Sequence, residues 1–165
     1  MLSFFTIESN ILCGVVAVQL ARTPDRDGAA WRAVRLASLF AITVTGVVYS
    51  TVLAAVHEPH GWRETVSNAL LHYVVPLAVV VGWLAFGPRP RVTGRVVVRA
   101  MLFPVVWLGY TLIRVAAAKW YPYPFLDVAT HGYARVVGNA VAVTAVFAGV
   151  AALLWFGDRK LPVAR

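Results

Sequence analysis

The chain has 165 residues, 60% hydrophobic and only 13% charged, with a net charge of +8. Its mean hydropathy of +0.74 excludes an ordinary water-soluble domain, which would lack the polar surface to cover so much apolar area. The basic balance would raise nucleic-acid binding in a soluble protein; here the basic residues lie between apolar stretches, so no nucleic-acid partner is expected.

Five apolar stretches follow one another, at roughly 4–21, 34–56, 66–86, 96–118 and 136–156. Each is near the length of about 20 residues that a helix needs to cross a hydrocarbon core. Strands of a membrane barrel would alternate in polarity, whereas VAVTAVFAGVAALLWF (141–156) is continuously apolar. The pattern predicts an all-α, multi-pass transmembrane bundle of five spans, with residues 1–165 forming one integral membrane domain.

In chain order, the first span carries Thr6, Glu8, Asn10 and the lone Cys13. It is not a convincing signal peptide, because no basic residue precedes it. The loop RTPDRDGAAWR follows, broken by Pro24 and Gly28. The second span ends in Tyr49, Ser50 and Thr51, before the loop HEPHGWRE. The third holds Asn68, His72 and a potential kink at Pro76. GPRPRVTGR leads to the fourth span, with Pro104, Tyr110, Thr111 and Arg114. The next loop, KWYPYPFLDVATHG, interleaves aromatics with prolines. It reads first as an interfacial aromatic belt and second as a rigid plug over a cavity. The fifth span opens with Arg135 and Asn139.

Charge sets an orientation. Eleven of the 15 basic residues fall on one side: Arg22, Arg26, Arg32 and Arg35, then Arg89, Arg91, Arg95 and Arg99, then Arg159, Lys160 and Arg165. Only Arg63, Arg114, Lys119 and Arg135 fall on the other. The positive-inside rule then predicts a cytoplasmic C-terminus and an N-terminus outside. The Ala, Val, Arg and Gly usage suggests a bacterial cell membrane.

With this orientation the polar residues of all five spans gather at one level of the outer leaflet. Polar groups in lipid are costly and face the bundle interior. A shared layer points to a polar cavity, against the plainer reading of a hydrogen-bond network that holds helices together. His72 is its chemical centre, because a neutral imidazole is a general base near neutral pH. Asn68 shares its face at i−4. Thr6 lies at similar depth on another helix, and a threonine hydroxyl becomes a nucleophile once a base takes its proton. A lone intramembrane threonine more often bonds its own helix. No cofactor or metal set is expected, and haem ligation is disfavoured because no second histidine lies in a span.

FFTIESN (4–10), NALLHYVVPLAVV (68–80) and WYPYPFLD (120–127) together resemble the androgen-induced membrane hydrolase family, in that family's order and across most of the chain. The resemblance implies a threonine hydrolase of lipid esters, of the kind formed between fatty acids and hydroxy fatty acids. It implies Thr6 as nucleophile and His72 as base, with Pro76 as the proline following the histidine. Tyr123, Pro124, Phe125, Leu126 and Asp127 match the loop motif. Asn10, Tyr110 and Arg114 are candidates for oxyanion stabilisation from depth, and Asp127 for orienting His72. Asn68, Arg135 and Asn139 are further supporting candidates. Family members carry another span before the Phe-Thr motif; here Met1 stands five residues ahead of Thr6, so either the chain is a short form or its start is placed late.

Two other functions fit the residues. One is a non-catalytic membrane protein that binds a lipid or partner through the same cavity. The other is a small transporter, disfavoured by the apolar inner halves of the spans. Membrane lipids are the expected partners, with a lipid ester as substrate in the enzymatic reading.

Overall fold

The computed structural model describes residues 3–118, 120–123 and 127–162. Among them there are helices and no strands. Helix α1 is Phe5–Arg22. Then come α2 (Ala29–Leu53), α3 (Gly61–Phe86), α4 (Gly94–Ala118) and α5 (Val128–Lys160). These last four are long and apolar enough to cross a membrane, which marks a membrane protein. The 18-residue α1 is more polar, with Glu8, Ser9, Asn10, Gln19 and Arg22 interrupting its apolar residues.

The helices overrun the apolar stretches because polar residues at their ends supply caps and first turns. Thr93 starts α4 by accepting from the Val96 amide. Asp127 caps α5, accepting from the Ala129 and Thr130 amides. Such caps satisfy amides that a helix leaves open at its start. Trp62, Arg63 and Glu64, expected in a loop, lie in the first turn of α3, where Glu64 accepts from the His60 amide, and Ala29–Arg32 belongs to α2, which starts without a side-chain cap. His131, also expected in a loop, sits in the first turn of α5, just before Gly132. There the chain takes φ 70°, which a side chain rarely tolerates.

Helix α2 is the centre of the bundle and packs against each of the other four. Its middle is apolar and buried, as the centre of a helix bundle must be. Phe40, Ala41 and Ile42 are 1%, 0% and 0% exposed. Aromatic rings join the helices to one another. Phe40 meets Phe147 of α5 at 5.4 Å between ring centroids, and Phe5 of α1 meets Trp107 of α4 at 5.0 Å. The outer surfaces of α3, α4 and α5 expose large apolar side chains, including Leu77, Ile113 and Leu153. Lipid covers such surfaces without cost.

Both helices that meet at His72 carry a π-helical turn, at Tyr49–Leu53 in α2 and Leu70–Val74 in α3. In the second turn the Val75 amide bonds back to Leu70 O. The next carbonyl in that register, Leu71 O, faces Pro76, which has no N–H. Pro104 has a parallel effect in α4, where Met101 interrupts the helix between Ala100 and Leu102.

Candidate functional site

Thr6 and His72 come together. The Thr6 Oγ1 lies 3.2 Å from His72 Nε2. The other ring nitrogen, Nδ1, lies 3.1 Å from the Asn68 carbonyl oxygen. A carbonyl only accepts, so Nδ1 carries the proton in this contact. Nε2 is then a bare acceptor, and Thr6 donates its hydroxyl proton to it. This is the arrangement a base-activated hydroxyl requires.

Several helices fix this pair. Tyr49 of α2 lies flat against His72, with 3.8 Å between ring centroids and 19° between planes. Its hydroxyl accepts from Asn68 Nδ2 at 2.6 Å. Asn68 thus holds the imidazole through its backbone and the tyrosine through its side chain. Asn10 of α1 donates to Thr6 O at 2.8 Å and to Leu71 O at 3.2 Å. The second bond supplies the carbonyl that Pro76 leaves without an amide, and it ties α1 to α3 one residue before His72. Ser9 joins α1 to α2 through a 2.9 Å bond with Thr45 and also donates to Thr6 O. Gly46 lets α2 and α3 approach: a Cβ there would stand 3.0 Å from Pro76 Cβ and 3.4 Å from His72 O.

Tyr123 completes the cluster from the loop before α5. Its hydroxyl accepts from the Phe5 amide at 2.9 Å, capping α1, and also hydrogen-bonds the Thr6 side chain. Burial pushes its phenol up to about 12. Trp120 is exposed beside Phe4, at 5.6 Å between centroids. Tyr123 turns inward instead. Pro124, Phe125 and Leu126 of the same motif lie outside the described residues.

Most of the other expected site residues have different positions. Both amide N–H groups of Asn10 are engaged on carbonyls, so it is a tether and not an oxyanion donor. Tyr110 and Arg114 bond each other at 3.4 Å on the exposed face of α4, one turn apart and facing outward. Asp127 does not orient His72, because the capped amides and the Thr130 hydroxyl at 2.7 Å occupy its carboxylate; the Asn68 carbonyl takes that role. Arg135 is exposed on α5, and Asn139 lies partly buried further along it. Ser50 and Thr51 bond carbonyls of their own helix, as isolated hydroxyls in apolar helices do.

Sequence reasoning counted Tyr49 among the polar residues of the second span but gave it no part in the site. A tyrosine 23 residues before a histidine on another helix has no spacing signature. Ser9 and Thr45 were missed for the same reason. An open groove of about 330 Å³, lined by Trp62, Val66, Leu70 and Leu71, runs along α3 up to the residue before His72. Among the described residues no group of His, Cys, Asp and Glu is placed to hold a metal ion.

The chain matches no family model, no curated protein and no solved structure.

Proposed function

We propose that the chain is an integral membrane hydrolase of lipid esters, crossing the bilayer five times with its N-terminus outside. In this reading α1 is the fifth span, its Ser9 and Asn10 turned to the Thr6–His72 cluster. The observation that carries the proposal is the contact of Thr6 Oγ1 with a bare His72 Nε2, its tautomer held by the Asn68 carbonyl. The resemblance of FFTIESN, NALLHYVVPLAVV and WYPYPFLD to the androgen-induced hydrolases supports the same pair and the same substrate class.

The chemistry follows from the geometry. Thr6 Oγ1 attacks the ester carbonyl carbon while its proton passes to Nε2, giving a tetrahedral intermediate and an imidazolium. The intermediate collapses, the alcohol oxygen leaves with the proton from Nε2, and the acyl group remains on Thr6. A water then attacks the acyl carbon, giving its proton to Nε2. Collapse frees the acid and returns that proton to Thr6. The Tyr123 hydroxyl, beside Thr6, is the group best placed to donate to the intermediate's oxyanion. Acyl chains have a route along the groove at Leu70 and Leu71.

A panel of lipid esters and a fluorophosphonate probe test this on detergent-purified protein. Turnover and covalent labelling are expected for the wild type, with both lost in Thr6→Ala. Labelling that survives Thr6→Ala removes the nucleophile. Saturable lipid binding without turnover of any ester, unchanged in His72→Ala, would establish the second reading, a non-catalytic lipid-binding protein.

A further inference from the structure

A second cavity, larger than the groove along α3, lies at the other end of the bundle. It has a volume of about 610 Å³ and sits among α1, α2 and α3, between Cys13 and the loop that follows α1. Successive turns of α1 carry the chain from Thr6 to Leu20 at its wall, about 20 Å at 1.5 Å per residue. It therefore shares no residue with the Thr6–His72 cluster. Its inner wall is apolar, formed by Val16, Leu20, Val79 and Gly82. Its mouth is basic, with Arg26, Arg32, Arg35 and Arg91 against Asp25 and Asp158.

Among the described residues the pairing at the mouth leaves Arg35 and Asp25 without a hydrogen-bond or ion-pair partner, and the arginines there outnumber the aspartates by one. Asp27 takes Arg32 at 2.6 Å and Arg91 at 2.8 Å. Arg26 donates to Gln19 at 2.9 Å and stacks on Trp31. Asp158 Oδ2 accepts the Arg91 and Val92 amides at 2.8 and 2.7 Å. Arg35, partly buried on the first turns of α2, has no ion-pair or hydrogen-bond partner among the described residues. Arg35 feels the Asp27 charge without bonding to it and stands above an apolar slot where the helices leave the membrane, a setting that suits an anionic head with a hydrocarbon tail. The volume lies within the range of ordinary ligand sites.

We propose that this cavity binds an anionic phospholipid of the adjacent leaflet, its phosphate on Arg35 and one acyl chain along Val16, Leu20 and Val79. The assignment depends on the chain spanning a bilayer and is independent of the chemistry at Thr6.

The test uses the full chain in a non-ionic detergent, titrated separately with phosphatidylglycerol, phosphatidylcholine, a long-chain fatty acid and inorganic phosphate, with bound lipid counted by native mass spectrometry. Saturable phosphatidylglycerol binding is expected, at least tenfold tighter than phosphatidylcholine. Arg35→Gln is expected to weaken it about tenfold, and Arg35→Lys to weaken it less. Gly82→Leu is the second variant: Gly82 lines the cavity and a Cβ there meets nothing within 4 Å, so the leucine is expected to occupy the cavity and abolish binding, with an unchanged thermal unfolding as the check that the fold is intact. Equal affinity for phosphatidylcholine, or phosphatidylglycerol binding untouched by both Arg35→Gln and Gly82→Leu, overturns the proposal. Binding of the fatty acid or of inorganic phosphate in place of phosphatidylglycerol overturns it as well.

Discussion

The Tyr49 phenol lies stacked on the His72 imidazole while its hydroxyl receives the Asn68 amide, so one side chain of α2 fixes both the plane of the ring and the residue that anchors it. The two contacts separate by substitution. Tyr49→Phe keeps the stack and loses the bond to Asn68; Tyr49→Ala loses both. If ester hydrolysis is measured, Tyr49→Phe should lower kcat by a few-fold and Tyr49→Ala by about 100-fold, the scale set by misplacing a catalytic group by about 1 Å. Equal rates in the two variants would show that the stack does not hold the imidazole.

Asn10 and Pro76 form a pair of a different kind. The proline withholds an amide from Leu71 O, and the asparagine supplies a donor in its place. Asn10→Leu should therefore destabilise the protein by about 1–3 kcal/mol, the usual cost of a buried polar group left unpaired. Pro76→Ala restores an amide to α3. In a double-mutant cycle followed by thermal unfolding in detergent, Asn10→Leu should cost measurably less in the Pro76→Ala background. Additive costs would mean that the Leu71 carbonyl is not the link.

The fold was largely legible in the sequence because membrane helices announce themselves by apolar length alone, a signal that needs no knowledge of packing. Four of the five apolar stretches are helices long and apolar enough to span. α1 is the less apolar helix because its polar residues Ser9 and Asn10 serve contacts to α2 and α3. The candidate site was legible in part. Depth along each helix brought Thr6, Asn10, Asn68 and His72 to one level, and these four are joined by hydrogen bonds. Depth carries no azimuth, however. Tyr110, Arg114 and Arg135, expected at that level, face outward, while Tyr49 and Tyr123 face in. The π-helical turns in which Tyr49 and His72 both lie leave no mark in residue spacing.

Gly46 sets how closely α2 can approach the π-turn of α3. In Gly46→Ala the new methyl stands 3.0 Å from Pro76 Cβ, closer than carbon atoms pack at their optimum of about 3.5–4.0 Å. Pro76 is buried and rigid, so the helices must part. The expected result is a loss of about 1–3 kcal/mol from overpacking, together with a fall in ester hydrolysis as Thr6 and His72 separate. Gly14→Ala is the control, since a Cβ there meets nothing within 4 Å. It should leave hydrolysis unchanged and raise stability slightly through helix propensity. A Gly46→Ala protein with wild-type stability and rate would remove the close approach as a determinant of the site.

The loops at the Arg35 end are held by Asp27, which pairs with Arg32 of α2 and with Arg91 of the loop before α4. The Arg32 hydrogen bond, aided by the Gly28 amide and the Arg91 charge, holds the Asp27 carboxyl well below the usual carboxylate range. The sign follows from that direction. A carboxyl with a lowered folded-state pKa contributes stability that is fully present above its unfolded value, about 3.9, and that is lost as pH falls through the folded value. Between pH 7 and 5 the Asp27 contribution should therefore be constant, and below about pH 4 it should decline. Asp27→Asn removes the charge at every pH. Thermal unfolding of wild type and variant should differ by a constant amount at pH 5–7 and converge as the medium is acidified below about pH 4. The difference should also shrink in high salt, because the pair is exposed and screened. Curves that stay parallel down to the lowest pH would mean that the carboxylate of Asp27 does not hold the two loops together.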